Sequence, residues 1–302
     1  MGLIEELPLQ NGRIIIVTGA NTGLGFETAL VLAKKGAKVI MACRNAIKAN
    51  KAIDRIKKEI PIADLEFIQI DLSSLESVRS FAKEFQSKYD RLDVLINNAG
   101  VMMPPYTKTK DGFELQFEAN HLGHFLLTGL LLDTIVNTPD SRVVSLSSIA
   151  HKNGKINFDD LQSEKKYSAS EAYGQSKLAC LMFAYELQRR LERKGYNNTI
   201  STAAHPGVSP TELSRHMPKL LFVILKYTVG PFLTHAPSEG AKPTLMAAVA
   251  NGVKGGDYFG PTGFNEMKGK PGIASSTDLS KDETVAKRLW EVSEELSGLK
   301  FL

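Results

Sequence analysis

The chain has 302 residues and a formal net charge of +4. With 43% hydrophobic and 23% charged residues it can bury a substantial core, which excludes a disordered chain. Its basic residues are spread along stretches such as 48–58 and 189–194 and form no single tract with interleaved aromatics, so nucleic-acid binding is not indicated. Cys43 and Cys180 lie far apart without metal-ligand spacing, and Glu5 and Glu6 stand where an export or myristoylation signal needs other residues. The expectation is a cytoplasmic protein in a reduced compartment, without a metal.

In chain order, short β-branched runs at 13–18, 38–43, 65–70 and 93–96 alternate with amphipathic stretches at 24–35, 46–59 and 75–89. Helical patterning around 113–135, a strand at 142–146, a long helix over about 169–194 and a strand at 199–204 continue the series. Connections of this length suit crossovers, so the reading is an α/β fold: a doubly wound parallel sheet with helices on both faces, of the Rossmann type.

After Pro206 the rhythm changes to a loop, an apolar stretch at 220–233, a helix near 239–250, a short strand at 256–259 and a final helix over about 282–296. No linker sets this part off, so the chain reads as one domain over 1–302, with 208–235 as a substrate loop or lid within it. The run at 220–233 is interrupted by Lys226, Gly230 and Pro231 and is too short to span a bilayer. A lid over an apolar substrate, ordinary core, and contact with a membrane surface or a protein partner all stay open for it. Met102, Met103 and Pro104, following the Asn98 loop, are candidates for the opposite wall, or simply core filler.

Thr18-Gly19-Ala20-Asn21-Thr22-Gly23-Leu24-Gly25 joins the first strand to the first helix, where glycines let the backbone turn sharply and approach a pyrophosphate at a helix N-terminus. Gly19, Gly23 and Gly25 have the wider T-G-x-x-x-G-x-G spacing, and taken alone they also suit a tight turn. The second strand ends at Cys43-Arg44, with a basic residue where an acid would bind a ribose 2′-hydroxyl. That favours NADP(H) over NAD(H), unless Arg44 is only a solvated helix-cap residue. Asp71, followed by Leu72, is placed to accept from an adenine amine, to start a helix, or both.

Tyr173 and Lys177 stand four residues apart in the long helix and so share a face. A tyrosine, with an ordinary pKa of about 10, needs an adjacent cation to move protons at neutral pH. A charge about 4 Å away at an effective dielectric of about 20 supplies roughly 4 kcal/mol. A pair at this spacing also arises by accident, and its weight comes from what surrounds it.

From Thr18 to about Thr211 the chain resembles the short-chain dehydrogenase/reductase family, through the glycine motif, Asp71, Asn97-Asn98-Ala99-Gly100, Asn120, Ser148, Tyr173 with Lys177, and Pro206-Gly207 leading to Thr211. It is similar to the retinol dehydrogenase-like and WW-domain oxidoreductase-like members through Ala42-Cys43-Arg44-Asn45, the stretch from Asn120 to Phe125, and Arg288-Leu289-Trp290, though without an N-terminal anchor helix. Protochlorophyllide reductases share several of these motifs.

The resemblance implies an oxidoreductase interconverting an apolar alcohol and its aldehyde or ketone. Tyr173 is then the acid/base, and Lys177 binds the nicotinamide ribose. Ser148 holds the substrate oxygen, with Ser147 as its competitor, and Asn120 belongs to a proton relay or merely satisfies a backbone group. Asn21, Thr22, Leu24, Asn98, Ala99, Gly100, Pro206, Gly207, Val208 and Thr211 line the cofactor. Many relatives pair through the helices near Asn120 and Tyr173, so a homo-oligomer stays open, as does peripheral membrane contact. A non-catalytic nucleotide-binding protein on the same fold is the alternative, against which the intact Asn120, Ser148, Tyr173 and Lys177 set speaks.

Overall fold

The computed structural model describes residues 3–209 and 234–302. Its strands form one eight-stranded sheet in the order β3-β2-β1-β4-β5-β6-β7-β8. The strands are β1 (Ile14–Thr18), β2 (Lys38–Cys43), β3 (Leu65–Gln69), β4 (Val94–Asn97), β5 (Ser141–Leu146), β6 (Thr199–Ala204), β7 (Tyr258–Pro261) and β8 (Pro271–Ile273). The first seven are parallel, and β8 turns back antiparallel on β7.

Burial explains why these runs are strands. Ile15 and Val17 of β1 enter one core with Val39 and Met41 of β2, while Ile16 and Ile40 enter the other. Residues pointing alternately into two apolar layers must be hydrophobic without interruption, and the β-branched runs are. One layer is covered by α1 (Gly23–Lys34), α2 (Ala46–Glu59) and α6 (Lys242–Val249). The other is covered by α3 (Leu75–Lys88), α4 (Gly123–Val136) and α5 (Ala169–Arg193). On α3, Val78, Phe81, Ala82 and Phe85 are the buried positions, the three- and four-residue spacing of a one-faced helix.

The final helix α7 (Glu283–Ser297) lies on α4 and α5. Its Trp290, 2% exposed, stacks on Phe183 and meets Phe125 edge to face, with Phe301 against both Phe125 and Trp290. That explains why α4 is apolar nearly all round.

Three expectations need adjustment. The helix expected over 113–135 is a short turn at Leu115–Phe117, a π-helical turn at Glu118–Leu122, and only then α4. The stretch near 239–250 divides into Pro237–Gly240 and α6, whose second residue is Pro243. The late strand lies at Tyr258–Pro261 instead of 256–259. The strand order reverses between β1 and β4, which opens a crevice beyond the carboxyl ends of β1, β4, β5 and β6.

Candidate active site

At the β1 end of that crevice the backbone turns at Gly19 (φ 68°) and Gly23 (φ 55°), the left-handed region that favours glycine. Gly25 allows the closest approach: a Cβ there would sit 2.4 Å from the Gly19 carbonyl. Thr22 enters α1 without a side-chain cap, so its hydroxyl leaves the first-turn N–H groups of α1 unclaimed. By contrast, α2, α3, α5 and α7 are capped by Asn45, Ser74, Ser168 and Asp282. Glycine turns leading into an uncapped helix start fit an anionic pyrophosphate.

The β1 and β4 loops are joined at one hydroxyl. Thr18 Oγ1 accepts from the N–H groups of Asn98 and Ala99, each at 2.9 Å, and Asn98 Nδ2 donates to the Thr18 carbonyl at 2.7 Å. The hydroxyl also lies 2.9 Å from His124 Nε2, and His124 Nδ1 donates to the Asn120 carbonyl at 2.9 Å. Burial lowers the His124 pKa to about 4, so the ring is neutral with its proton on Nδ1. Neither Thr18 nor His124 was a candidate from sequence. The i, i+4 spacing of Asn120 and His124 was the visible signal, but nothing in it pointed to Thr18.

Arg44 and Asp71 flank the ends of β2 and β3. Asn45, not Arg44, caps α2, and its side chain accepts from Lys48 N. The Arg44 side chain is 62% exposed, with Nη1 3.9 Å from Asp71 Oδ2. The cap of α3 is Ser74, whereas Asp71 accepts from the N–H and hydroxyl of Ser73. Leu72 and Leu24 are buried walls of this region.

At the other end, Tyr173 is 7% and Lys177 5% exposed, both on α5. Lys177 Nζ donates to the Leu146 carbonyl at 3.0 Å and lies 6.0 Å from the centre of the Tyr173 ring. Ser147 is committed to tying α5 to β5, because its hydroxyl donates to the Lys177 carbonyl at 2.8 Å. Ser148 is partly exposed, and its hydroxyl accepts from Ala150 N, at the start of the 3₁₀ turn Ile149–Asn153. That turn meets α5 backbone to backbone: a Cβ on Gly154 would stand 2.4 Å from the Gly174 carbonyl, next in sequence to Tyr173.

Asn120 is 1% exposed inside the π-helical turn, a local widening common at functional sites. Its Oδ1 accepts from Val101 N at 2.7 Å, and Nδ2 donates to the Val101 carbonyl and to Ser176 Oγ. The backbone-satisfying part of its expected behaviour is therefore present. A Cβ on Gly100 would lie 2.9 Å from Asn120 Oδ1 and 3.5 Å from Lys177 Nζ, so glycine keeps open a space that both residues border.

After β6, Gly207 (φ 69°) leaves room for the Met267 carbonyl, which a Cβ there would approach to 2.3 Å, and Val208 N donates to that carbonyl. His235 Nε2 donates to the Pro206 carbonyl at 2.6 Å. Thr211 and the run at 220–233 lie outside the described residues. Among the described residues no helix is long and apolar enough to cross a membrane, and no cluster of three or more His, Cys, Asp or Glu suits a metal ion.

The short chain dehydrogenase family model matches residues 13–219. Retinol dehydrogenase 14 of Homo sapiens is 42% identical, with 96% of this chain and 88% of that protein covered. Retinol dehydrogenase 13 of Homo sapiens is 44% identical over 96% of this chain and 86% of its own length. Among solved structures, an uncharacterized protein from Mycobacterium Paratuberculosis superposes with a TM-score of 0.82 at 39% identity, covering 99% of this chain and 98% of that one.

Proposed function

Because the chain belongs to the short-chain dehydrogenase family, we propose that it is an NADP(H)-dependent oxidoreductase interconverting an apolar alcohol and its aldehyde or ketone, with Tyr173 as the acid/base. The observation that carries this reading is the buried pair Tyr173 and Lys177, the lysine anchored on the Leu146 carbonyl beside the opening over Gly100.

NADP(H), when bound, supplies or takes up the hydride. The residues present suit it. The glycines at 19, 23 and 25 and the uncapped start of α1 would hold a pyrophosphate, and Arg44, free of a capping role, would pair with a 2′-phosphate. Asn98, Ala99 and Gly100 and the backbone from Pro206 to Val208 border the nicotinamide end.

In the direction of reduction, Tyr173 gives its proton to the carbonyl oxygen as that oxygen becomes an alkoxide, and in oxidation it takes the proton back. The Lys177 ammonium faces the ring and stabilises negative charge developing on the phenol oxygen. Ser148, the less committed of the two adjacent serines, holds the substrate oxygen by a hydrogen bond. The proposal routes the replacement proton through the space that Asn120 and Lys177 share.

An apolar substrate is supported by the two relatives, whose names point to a lipophilic alcohol. Purified protein should oxidise NADPH with a panel of lipophilic aldehydes and ketones at least about tenfold more efficiently than NADH, and Arg44→Leu should erase that preference, a charge-assisted contact contributing roughly 1.5–3 kcal/mol. Absence of turnover across the panel would overturn the activity, and an equal or better rate with NADH would overturn the cofactor.

A further inference from the structure

The loops that follow β5, β6 and β7 meet at one carboxylate. Glu266 Oε1 accepts from the N–H and hydroxyl of Ser275, at 2.7 and 2.8 Å. Its Oε2 accepts from Lys152 Nζ at 2.9 Å and stands 3.6 Å from His205 Nε2. Lys152 Nζ closes the triangle by donating to Ser275 Oγ at 3.0 Å. The Glu266 side chain is 17% exposed, and the His205 side chain is fully buried.

Each partner leads to a different part of the site. Lys152 belongs to the 3₁₀ turn that begins at Ser148, where His151 Nδ1 donates to the Ser148 carbonyl at 2.6 Å. His205 closes β6, and its Nδ1 accepts from Gly207 N, which puts the ring proton on Nε2, packed against Glu266 Oε2 without a hydrogen bond to it. Met267, next to Glu266, accepts from Val208 N at 2.8 Å. Burial holds the His205 pKa down to about 4, so Lys152 is the counter-charge of the carboxylate. Asn265 (φ 47°) and Glu266 (φ 58°) both hold left-handed backbone without being glycine, a conformation that persists only where surrounding contacts impose it.

We infer that Glu266 is a positioning residue, which through Lys152 and His205 fixes the spacing between Ser148 and the Pro206–Val208 backbone and so aligns the substrate oxygen with the nicotinamide end of the cofactor. This rests on the function proposed above. Glu266 touches neither reacting group, and it acts on the nicotinamide half of the site while the glycine loop and Arg44 hold the adenosine half independently.

The test is Glu266→Gln, which keeps the shape but turns an amide N–H₂ toward donors. NADPH and adenosine 2′,5′-bisphosphate, which lacks the nicotinamide, are titrated against wild type and variant, and kcat is measured with the best carbonyl of the panel. The variant should bind NADPH about tenfold more weakly, bind the bisphosphate within twofold of wild type, and lose kcat about tenfold. Lys152→Met approaches the same hub from a more exposed partner and should reproduce the split, with the double variant no worse than either single one.

Unchanged NADPH affinity and kcat in both variants would overturn the inference, as would equal weakening of both ligands, the mark of a general structural role. Wild-type protein that binds NADPH without turning over any carbonyl would defeat the functional reading, while the two binding titrations would still decide the role of Glu266. Wild-type protein that binds neither ligand would overturn both.

Discussion

The two ends of the crevice are held together by different means. Between the loops after β1 and β4, the links run to the main chain: Thr18 Oγ1 takes two backbone N–H groups, and Asn98 returns one bond to the Thr18 carbonyl. Between the loops after β5 and β6, the links run through side chains that meet Glu266 of the C-terminal part, with Lys152 reaching it across 114 residues of sequence and His205 beside it. A backbone-wired corner needs only a local glycine pattern plus one hydroxyl and one amide, which here lie 80 residues apart. A side-chain hub needs particular residues on a distant hairpin, with no periodic pattern around them.

The comparison implies that the C-terminal part can be damaged without dismantling the nucleotide corner. Trp290→Ala should cost about 3–5 kcal/mol of stability by emptying the space between Phe125, Phe183 and Phe301. Below the new melting temperature it should leave affinity for adenosine 2′,5′-bisphosphate within about twofold. Urea denaturation and a binding titration check this, and a parallel loss of affinity would break the distinction between the two regions.

A smaller effect sharpens the other side. His124 is buried neutral with a pKa lowered to about 4 by desolvation, against 6.5 in the ordinary range. Above about pH 6.5 the ring is neutral folded and unfolded, so it adds no slope. Between about pH 6.5 and 4 the unfolded chain binds the extra proton, and stability falls with pH by up to about 3 kcal/mol. Glu118, raised to about 8 chiefly by burial, acts in the opposite sense as pH rises from 4.5, so the variant difference is the informative quantity. His124→Gln, measured by urea denaturation at stepped pH, should lose less stability than wild type over that window. Identical slopes would show that His124 is not a neutral buried link between Asn120 and Thr18.

How much of this was legible in the sequence follows the same division. The strands β1, β2 and β4 could be read because burial on both faces demands unbroken apolar runs, and α2 and α3 because burial on one face demands three- and four-residue spacing. The Tyr173 to Lys177 spacing and the glycine loop are local patterns, and the structure places them on one crevice. The π-helical turn at Glu118–Leu122 was hidden, since its residues suit an α-helix equally well and nothing in their order marks the wider turn that precedes α4. Strand β8 has three residues, among them a proline and a glycine, and β-propensity has no purchase there. The caps Asn45 and Ser74 sit one and three residues past Arg44 and Asp71, within the usual uncertainty of a helix start. Glu266 was invisible because its partners come from two other loops.

The central claim is that a phenol flanked by an ammonium carries the proton in a hydride-transfer reaction. Replacing Tyr173 by Phe removes one oxygen from a buried side chain and leaves the Lys177 anchor on Leu146 in place. Steady-state rates and NADPH fluorescence titrations on the same preparation should show kcat down by about 10²–10⁴-fold with cofactor affinity nearly intact. Turnover at the wild-type rate in that variant would contradict the account.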